Sequence, residues 1–333
     1  MWKYANPGDY RLLHHHNGFS YENAIEDYGR SPITGCSYTT QAKEDYPIVL
    51  PDNMTEVWFK INILVADTVN LFFCNNNQNY KILLVMDKTG WHLEADHRAY
   101  DYQAGRFAVL KAIREDHMDL DGRHATVVLH IKSVKMNESS VFNLAAGCCE
   151  LRINNRIVAN IDNLAIMNGE PIMCSTIYSE LKKSFFSDII VSDTKVESRE
   201  HTFVLPVKTT LLDGWVETTR DNEVIGYETA SAGNSIVHTL DTDTIEEKLG
   251  NNISISSISL QAFDISSNDE DVVDTIQKIV RIGGQEFVVG DSRIILNSYI
   301  SDAIQKNPYN NEAWTINDLK STELILRSAK STT

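Results

Sequence analysis

Glu94 and Asp96, in Trp91-His92-Leu93-Glu94-Ala95-Asp96, are a pair of carboxylates spaced to share one face of a strand, as chemistry on a sugar would need. Side chains alternate faces along an extended strand, so residues two apart share a face. Glycan hydrolysis calls for two carboxyl groups set across a cleft. Trp91 before them, with Tyr100 and Tyr102 after, supplies flat rings of the kind that cover the apolar face of a pyranose. The stretch is nevertheless polar and flanked by histidines, which is the composition of a solvated strand edge. Trp91, Tyr100 and Tyr102 are therefore the candidate carbohydrate contacts, and Glu94 and Asp96 read as a solvated pair.

A second oxygen-rich stretch, Asp119-Leu120-Asp121-Gly122, is similar to a fragment of a calcium loop but lacks the remaining oxygen ligands and the bidentate glutamate. Asp119 and Asp121 are the candidate metal ligands, with a plain turn before the strand at Ala125 as the simpler explanation. His14-His15-His16 are consecutive, and three consecutive residues rarely share one coordination sphere without further ligands, so they read as surface or interface histidines. A Gly-x-Ser-x-Gly elbow, a glycine-rich phosphate loop and paired Cys/His spacing are all missing from the sequence. On this reading the chain is not an enzyme and takes no cofactor.

The elements that must position these residues are strands. At 333 residues and 42% hydrophobic composition the chain is long enough for two cored domains. No apolar run approaches the roughly 18 residues that span a bilayer. The start, Met1-Trp2-Lys3-Tyr4, lacks a basic region followed by an apolar one, so Sec-type export and membrane insertion are not expected. A formal charge of −16 disfavours a binder of nucleic-acid phosphates. Five cysteines without paired spacing fit folding in a reducing cytoplasm.

Val57, Phe59, Ile61 and Ile63 alternate with Trp58, Lys60 and Asn62, the period-two signature of a strand with one buried face. Comparable runs follow at 80–86, 125–134, 149–161 and 185–191. Asn154-Asn155 between two of them predicts a hairpin, because asparagine tolerates the left-handed backbone that a two-residue turn demands. The expected architecture is all-β. An N-terminal arm takes residues 1–50, a jelly-roll sandwich 51–196, and a second β-sandwich-like domain with one short C-terminal helix 197–333. The polar run Lys195 to Thr202 reads as the linker between the two domains.

Near the end stands Asn307-Pro308-Tyr309-Asn310-Asn311-Glu312-Ala313-Trp314-Thr315-Ile316-Asn317-Asp318-Leu319. Pro308 and the asparagines force a reversal, Thr315 is a natural helix N-cap with Asp318 three residues on, and Trp314 reads as a packed anchor. This module resembles the closing segment of a family of tailed-bacteriophage virion proteins. The strand Val127-Val128-Leu129-His130-Ile131, the Asn154-Asn155 hairpin and Phe185-Phe186-Ser187-Asp188-Ile189-Ile190-Val191 resemble, in layout, a concanavalin A-like or laminin G-like jelly roll. The acidic run Asp269, Glu270, Asp271 and Asp274 departs from the virion family, which carries basic residues there. The resemblance implies a non-enzymatic structural component of a phage particle, in the tail, fibre, neck or head decoration. It would be made in the host cytoplasm and partnered by other virion proteins, by its own copies and by a host-surface glycan.

Overall fold

A computed structural model describes residues 2–6, 38–39, 46–49, 54–64, 68–74, 81–87, 89–95, 97–101, 106–109, 114–115, 124–134, 147–166, 169–172, 174–179, 185–197, 200, 205, 207–220, 222–243, 247, 253–260, 272–293 and 302–330. The protein is all-β, and it divides into two compact units, Met1–Phe203 and Val204–Thr333.

The first unit is a jelly-roll sandwich, with fifteen strands among the described residues. They are β1 (Trp2–Asn6), β2 (Tyr38–Thr39), β3 (Tyr46–Val49), β4 (Glu56–Leu64), β5 (Val69–Cys74), β6 (Lys81–Asp87), β7 (Gly90–Ala95) and β8 (His97–Asp101), then β9 (Arg106–Val109), β10 (Arg114–Glu115), β11 (His124–Lys132), β12 (Gly147–Ile153), β13 (Arg156–Ile166), β14 (Cys174–Ser179) and β15 (Phe185–Ser192). A nine-stranded sheet runs β1-β15-β4-β11-β12-β13-β8-β9, with β2 also on β15, and a six-stranded sheet runs β10-β7-β6-β5-β14-β3. Alternation sorts each strand between the faces. Val57, Phe59, Ile61 and Ile63 of β4, with Val127, Leu129 and Ile131 of β11, meet Leu71 and Phe73 of β5 and Leu84 and Met86 of β6 in one core. Phe59 and Phe73 join the sheets edge to face, centroids 5.2 Å apart. Burying side chains of this size contributes roughly 1.5–3 kcal/mol each.

The β12–β13 hairpin forms where the sequence places it. Asn154 and Asn155 have φ of 49° and 67°, the left-handed pair of a type I′ turn. The Asn154 side-chain oxygen accepts the Thr126 N–H at 2.9 Å, tying the turn to β11.

Two expectations about the ends of this unit change. The stretch 1–50, read as an arm, contributes β1 and β2 to β15 and β3 to β14. These strands are short and sit at sheet edges, where alternation is too brief to register. The stretch read as a linker also belongs to the first unit. Val196 is 1% exposed and packs with Trp58, Val128 and Ile190 on the outer face of the nine-stranded sheet.

That strap explains why the second face of β4 is buried too. Lys60 is fully buried and donates to the Glu200 carbonyl, and its ammonium lies 3.8 Å from the Asp188 carboxylate. Asn62 donates to Asp188 at 2.7 Å and accepts from Thr126 at 2.8 Å. Burial pulls the Lys60 pKa below the usual lysine range, against the opposing pull of Asp188 and Glu200. Asp188 has φ of 53° at a bulge in β15, a conformation that aspartate tolerates better than most residues.

The second unit holds β16 (Val207–Asp213), β17 (Val216–Arg220), β18 (Glu223–Glu228), β19 (Ser235–Leu240), β20 (Ile258–Leu260), β21 (Thr275–Ile282), β22 (Gln285–Arg293), β23 (Asp302–Ile304) and β24 (Thr322–Ala329). Its main sheet runs β16-β19-β24-β21-β22, with β17–β18 and β20–β23 as separate pairs. Val273 and Ile276 pack with Trp215 and Leu326.

The closing module is held together locally. Asn307 is fully buried, its side-chain oxygen accepts the Tyr309 N–H and its carbonyl accepts the Asn311 N–H. Trp314, 2% exposed, donates its indole N–H to the Ile304 carbonyl at 3.0 Å. Thr315 caps the helix Ile316–Lys320 in a full capping box with Asp318.

Candidate functional site

The sequence-predicted residues do not gather at one place. In β7, Trp91 and Leu93 turn into the sandwich core while His92 and Glu94 lie on the opposite, partly exposed face. Trp91 is 3% exposed, so its ring has no face to offer a sugar. Its indole N–H meets no acceptor among the described residues. Tyr100 pairs with Phe107 in β8 and β9, which belong to the nine-stranded sheet, whereas Trp91 stands in the six-stranded one. Trp91 and Tyr100 thus stand in different sheets, and the Tyr100 side chain lies outside the description. Tyr102, Asp96, Asp119, Asp121, His14, His15, His16 and the acidic residues Asp269 to Asp271 lie outside the described residues. Among the described residues no three His, Cys, Asp or Glu side chains are grouped to hold a metal.

The outer face of the six-stranded sheet carries an ordered pattern. His92 stands opposite Val85, which stands opposite Asn70; Glu94 stands opposite Leu83, which stands opposite Phe72. All six are half-buried or nearly so, on the face away from the core. The register extends each row by one strand, Tyr178 opposite Asn70 and Thr176 opposite Phe72 in β14, and places Arg114 of β10 opposite His92. His92 Nε2 lies 3.3 Å from Glu94 Oε1, with the two side chains 37% and 26% exposed. A pair this open adds at most about 1 kcal/mol to stability. Chemically the face offers an imidazole and a carboxylate beside apolar side chains, groups that can exchange hydrogen bonds with hydroxyls while Val85, Leu83 and Phe72 meet C–H surface.

A second cluster, on the outer face of the nine-stranded sheet, escaped the sequence reading. His130 of β11 stacks on Trp58 of β4, with centroids 3.9 Å apart and planes 11° from parallel. Its Nε2 lies 2.9 Å from Glu56 Oε1, and its Nδ1 lies 3.5 Å from Cys148 Sγ. Arg152 sits 5.9 Å from the Trp58 ring and donates to Glu150 at 2.6 Å. Burial pulls the His130 pKa below its usual value; Glu56 and Glu150 push it up and Lys132 pushes it down. Glu56, Trp58, His130 and Cys148 are spread over more than 90 positions, so no local motif could announce them. The one available signal was that all four occupy outward positions of strands whose inward phase is fixed by the core.

No family model matches the sequence, and no curated protein is significantly similar to it. Similar solved structures include an endo-β-1,4-glucuronan lyase from the fungus Trichoderma reesei, 10% identical, covering 58% of this chain and 96% of that one with a TM-score of 0.34. The alginate lyase Aly36B is 11% identical over 58% of this chain and 96% of its own, TM-score 0.36. Domains LG4-5 of the mouse laminin α1 chain are 8% identical, covering 93% of this chain and 84% of that one, TM-score 0.32. At these identities the likeness concerns the β-sandwich jelly-roll fold alone. The expectation that the chain is not an enzyme is withdrawn, since the solved structures similar to it include a glucuronan lyase and an alginate lyase.

Proposed function

We propose that this chain is a component of a tailed-bacteriophage particle whose jelly-roll unit meets a host-surface polysaccharide on the outer face of its six-stranded sheet. The observation that carries the glycan reading is the pair of rows on that face, His92–Val85–Asn70 and Glu94–Leu83–Phe72, which sets polar side chains against apolar ones at strand spacing. A pyranose presents hydroxyls at its rim and C–H bonds on its face, and this mixture suits both. The virion reading is supported by the closing module from Asn307 to Leu319 and its resemblance to the terminal segment of virion proteins. A second copy and other virion proteins are its expected partners.

Two measurements test the proposal. Purified protein is presented to a panel of bacterial surface polysaccharides, neutral and acidic, with binding and release of reducing ends or unsaturated ends read together. Saturable binding weakened at least fivefold in both His92→Ala and Glu94→Gln supports the glycan face; binding to no member of the panel, or binding indifferent to both substitutions, refutes it. Gold-labelled antibody on intact particles tests the virion assignment. Label on fibres or tail tip agrees with host contact, label on head or neck makes the chain a decoration or joining protein, and unlabelled particles refute an exposed virion component.

A further inference from the structure

We propose that Cys148 is an activated thiol, with His130 as its base and Glu56 as the group that orients the base, and that it exchanges with small disulfides on the outer face of the nine-stranded sheet. The three side chains come from three adjacent strands. Lys132 stands opposite Cys148 on one side and opposite Glu56 on the other, and His130, two residues away on β11, lies diagonal to both. The diagonals close to 3.5 Å from Sγ to Nδ1 and 2.9 Å from Nε2 to Oε1.

The arrangement assigns the protons. An ionised carboxylate only accepts, so Nε2 carries the hydrogen that points at Glu56 and Nδ1 keeps the lone pair that faces the thiol. Trp58, stacked flat on the ring, fixes its plane. Nucleophile, base and orienting group in line is the general layout of thiol activation. The charged groups facing His130 are Glu56 from β4, Lys132 on its own strand and Glu150 from β12. Burial outweighs them and holds the ring neutral at pH 7, the form that can take a proton. Cys148 is a half-buried thiol outside any disulfide, whereas its neighbour Cys149 faces the core, where burial pushes its thiol far up and keeps it unreactive.

The exchange balances without another reactant. The Cys148 proton passes to Nδ1, and the thiolate attacks one sulfur of the disulfide. A new S–S bond forms as the old one breaks, and the departing thiolate takes the proton from the imidazolium. One protein thiol is oxidised to a mixed disulfide and one reagent thiol is released. This proposal is independent of the glycan reading, since it concerns the other sheet.

The test uses the full-length protein with oxidised glutathione across pH 5.5 to 9.5, with the modified residue located by fragment mass spectrometry, because Cys148 and Cys149 are adjacent. The expected inflection lies below the roughly 8.5 of an ordinary thiol. With the neutral ring taking the proton as the sulfur attacks, exchange at pH 6 gains over that of an ordinary thiol, which holds almost no thiolate there. His130→Gln should return the inflection to the ordinary value and remove that gain, with Glu56→Gln falling between. Wild-type protein in denaturant is the internal control should either variant fold poorly, and folded Cys148 should react faster at pH 6 than unfolded. An inflection at or above that of an ordinary thiol, a profile unmoved by His130→Gln, or faster reaction on unfolding would each overturn the proposal.

Discussion

Replacing Lys60 with methionine should destabilise the jelly-roll unit by about 3–5 kcal/mol, the range for removing one member of a buried ion pair. The stem survives in methionine, so loss of packing is a minor part of that cost. What goes is the cation 3.8 Å from Asp188, a carboxylate with no exposed surface, together with the hydrogen bond that holds the Glu200 carbonyl on the sheet. Urea unfolding of the full chain, followed by tryptophan fluorescence, reads the effect. Trp58 and Trp91 report the first unit, Trp215 and Trp314 the second. With a slope of about 2–3 kcal/mol per molar, the first-unit midpoint should fall by about 1.5–2 M. Because the deficit is mainly an uncompensated charge, Lys60→Met combined with Asp188→Asn should recover more than half of it, a coupling of about 2 kcal/mol. Asparagine is the right partner because it tolerates the φ of 53° at that bulge. A single-variant cost under about 1 kcal/mol, or a double variant that loses the sum of the two singles, would refute the electrostatic account.

Trp91→Ala should cost about 3–5 kcal/mol of first-unit stability, as truncations of buried aromatics do, and a fall in polysaccharide binding that exceeds the unfolded fraction would show the ring contacting ligand after all. Asn155→Ala should destabilise by about 1 kcal/mol while Asn155→Gly is tolerated, because only the former strains a left-handed turn; denaturation midpoints decide. Both His130 and His238 have pKa values lowered by burial, so their unfolded forms bind protons first and stability falls as the pH drops through about 6.5 toward the folded values. His238→Gln should therefore flatten the pH 7 to 5 stability loss of the second unit, and His130→Gln that of the first, as measured by melting at each pH.

Local rules carried the parts of the fold that are local. The phase of Val57 to Ile63, the turn at Asn154-Asn155 and the cap at Thr315 with Asp318 each follow from residues a few positions apart, and each stands in the structure where the sequence put it. The same alternation already contained the fact that Trp91 and Glu94 point opposite ways, since they are three residues apart on one strand. Reading the tryptophan and the carboxylate as one surface ignored that parity. What could not be read locally is the company that outward residues keep. Lys60 looks solvent-facing until Val196 and Glu200, some 140 positions on, cover it; His130 looks like any polar residue until Trp58, Glu56 and Cys148 converge on it from neighbouring strands. The first 50 residues contribute strands that exist because β14 and β15 offer edges to pair with, and their own composition does not announce them.

The strap that leaves β15 has a mechanical corollary. The chain passes from the jelly roll to the second unit by way of Val196 and Glu200, so tension entering at Val204 reaches those two anchors before it reaches the ladder of β15. Val196 sits in a pocket of Trp58, Val128 and Ile190, and the Glu200 carbonyl is gripped by a lysine rooted in the middle of β4. A pull therefore has to lift an apolar plug and break a hydrogen bond to a buried cation before it can begin to unzip the sheet. The strap is thus a second attachment of the chain to the sandwich, made by side chains and separate from the β15 ladder.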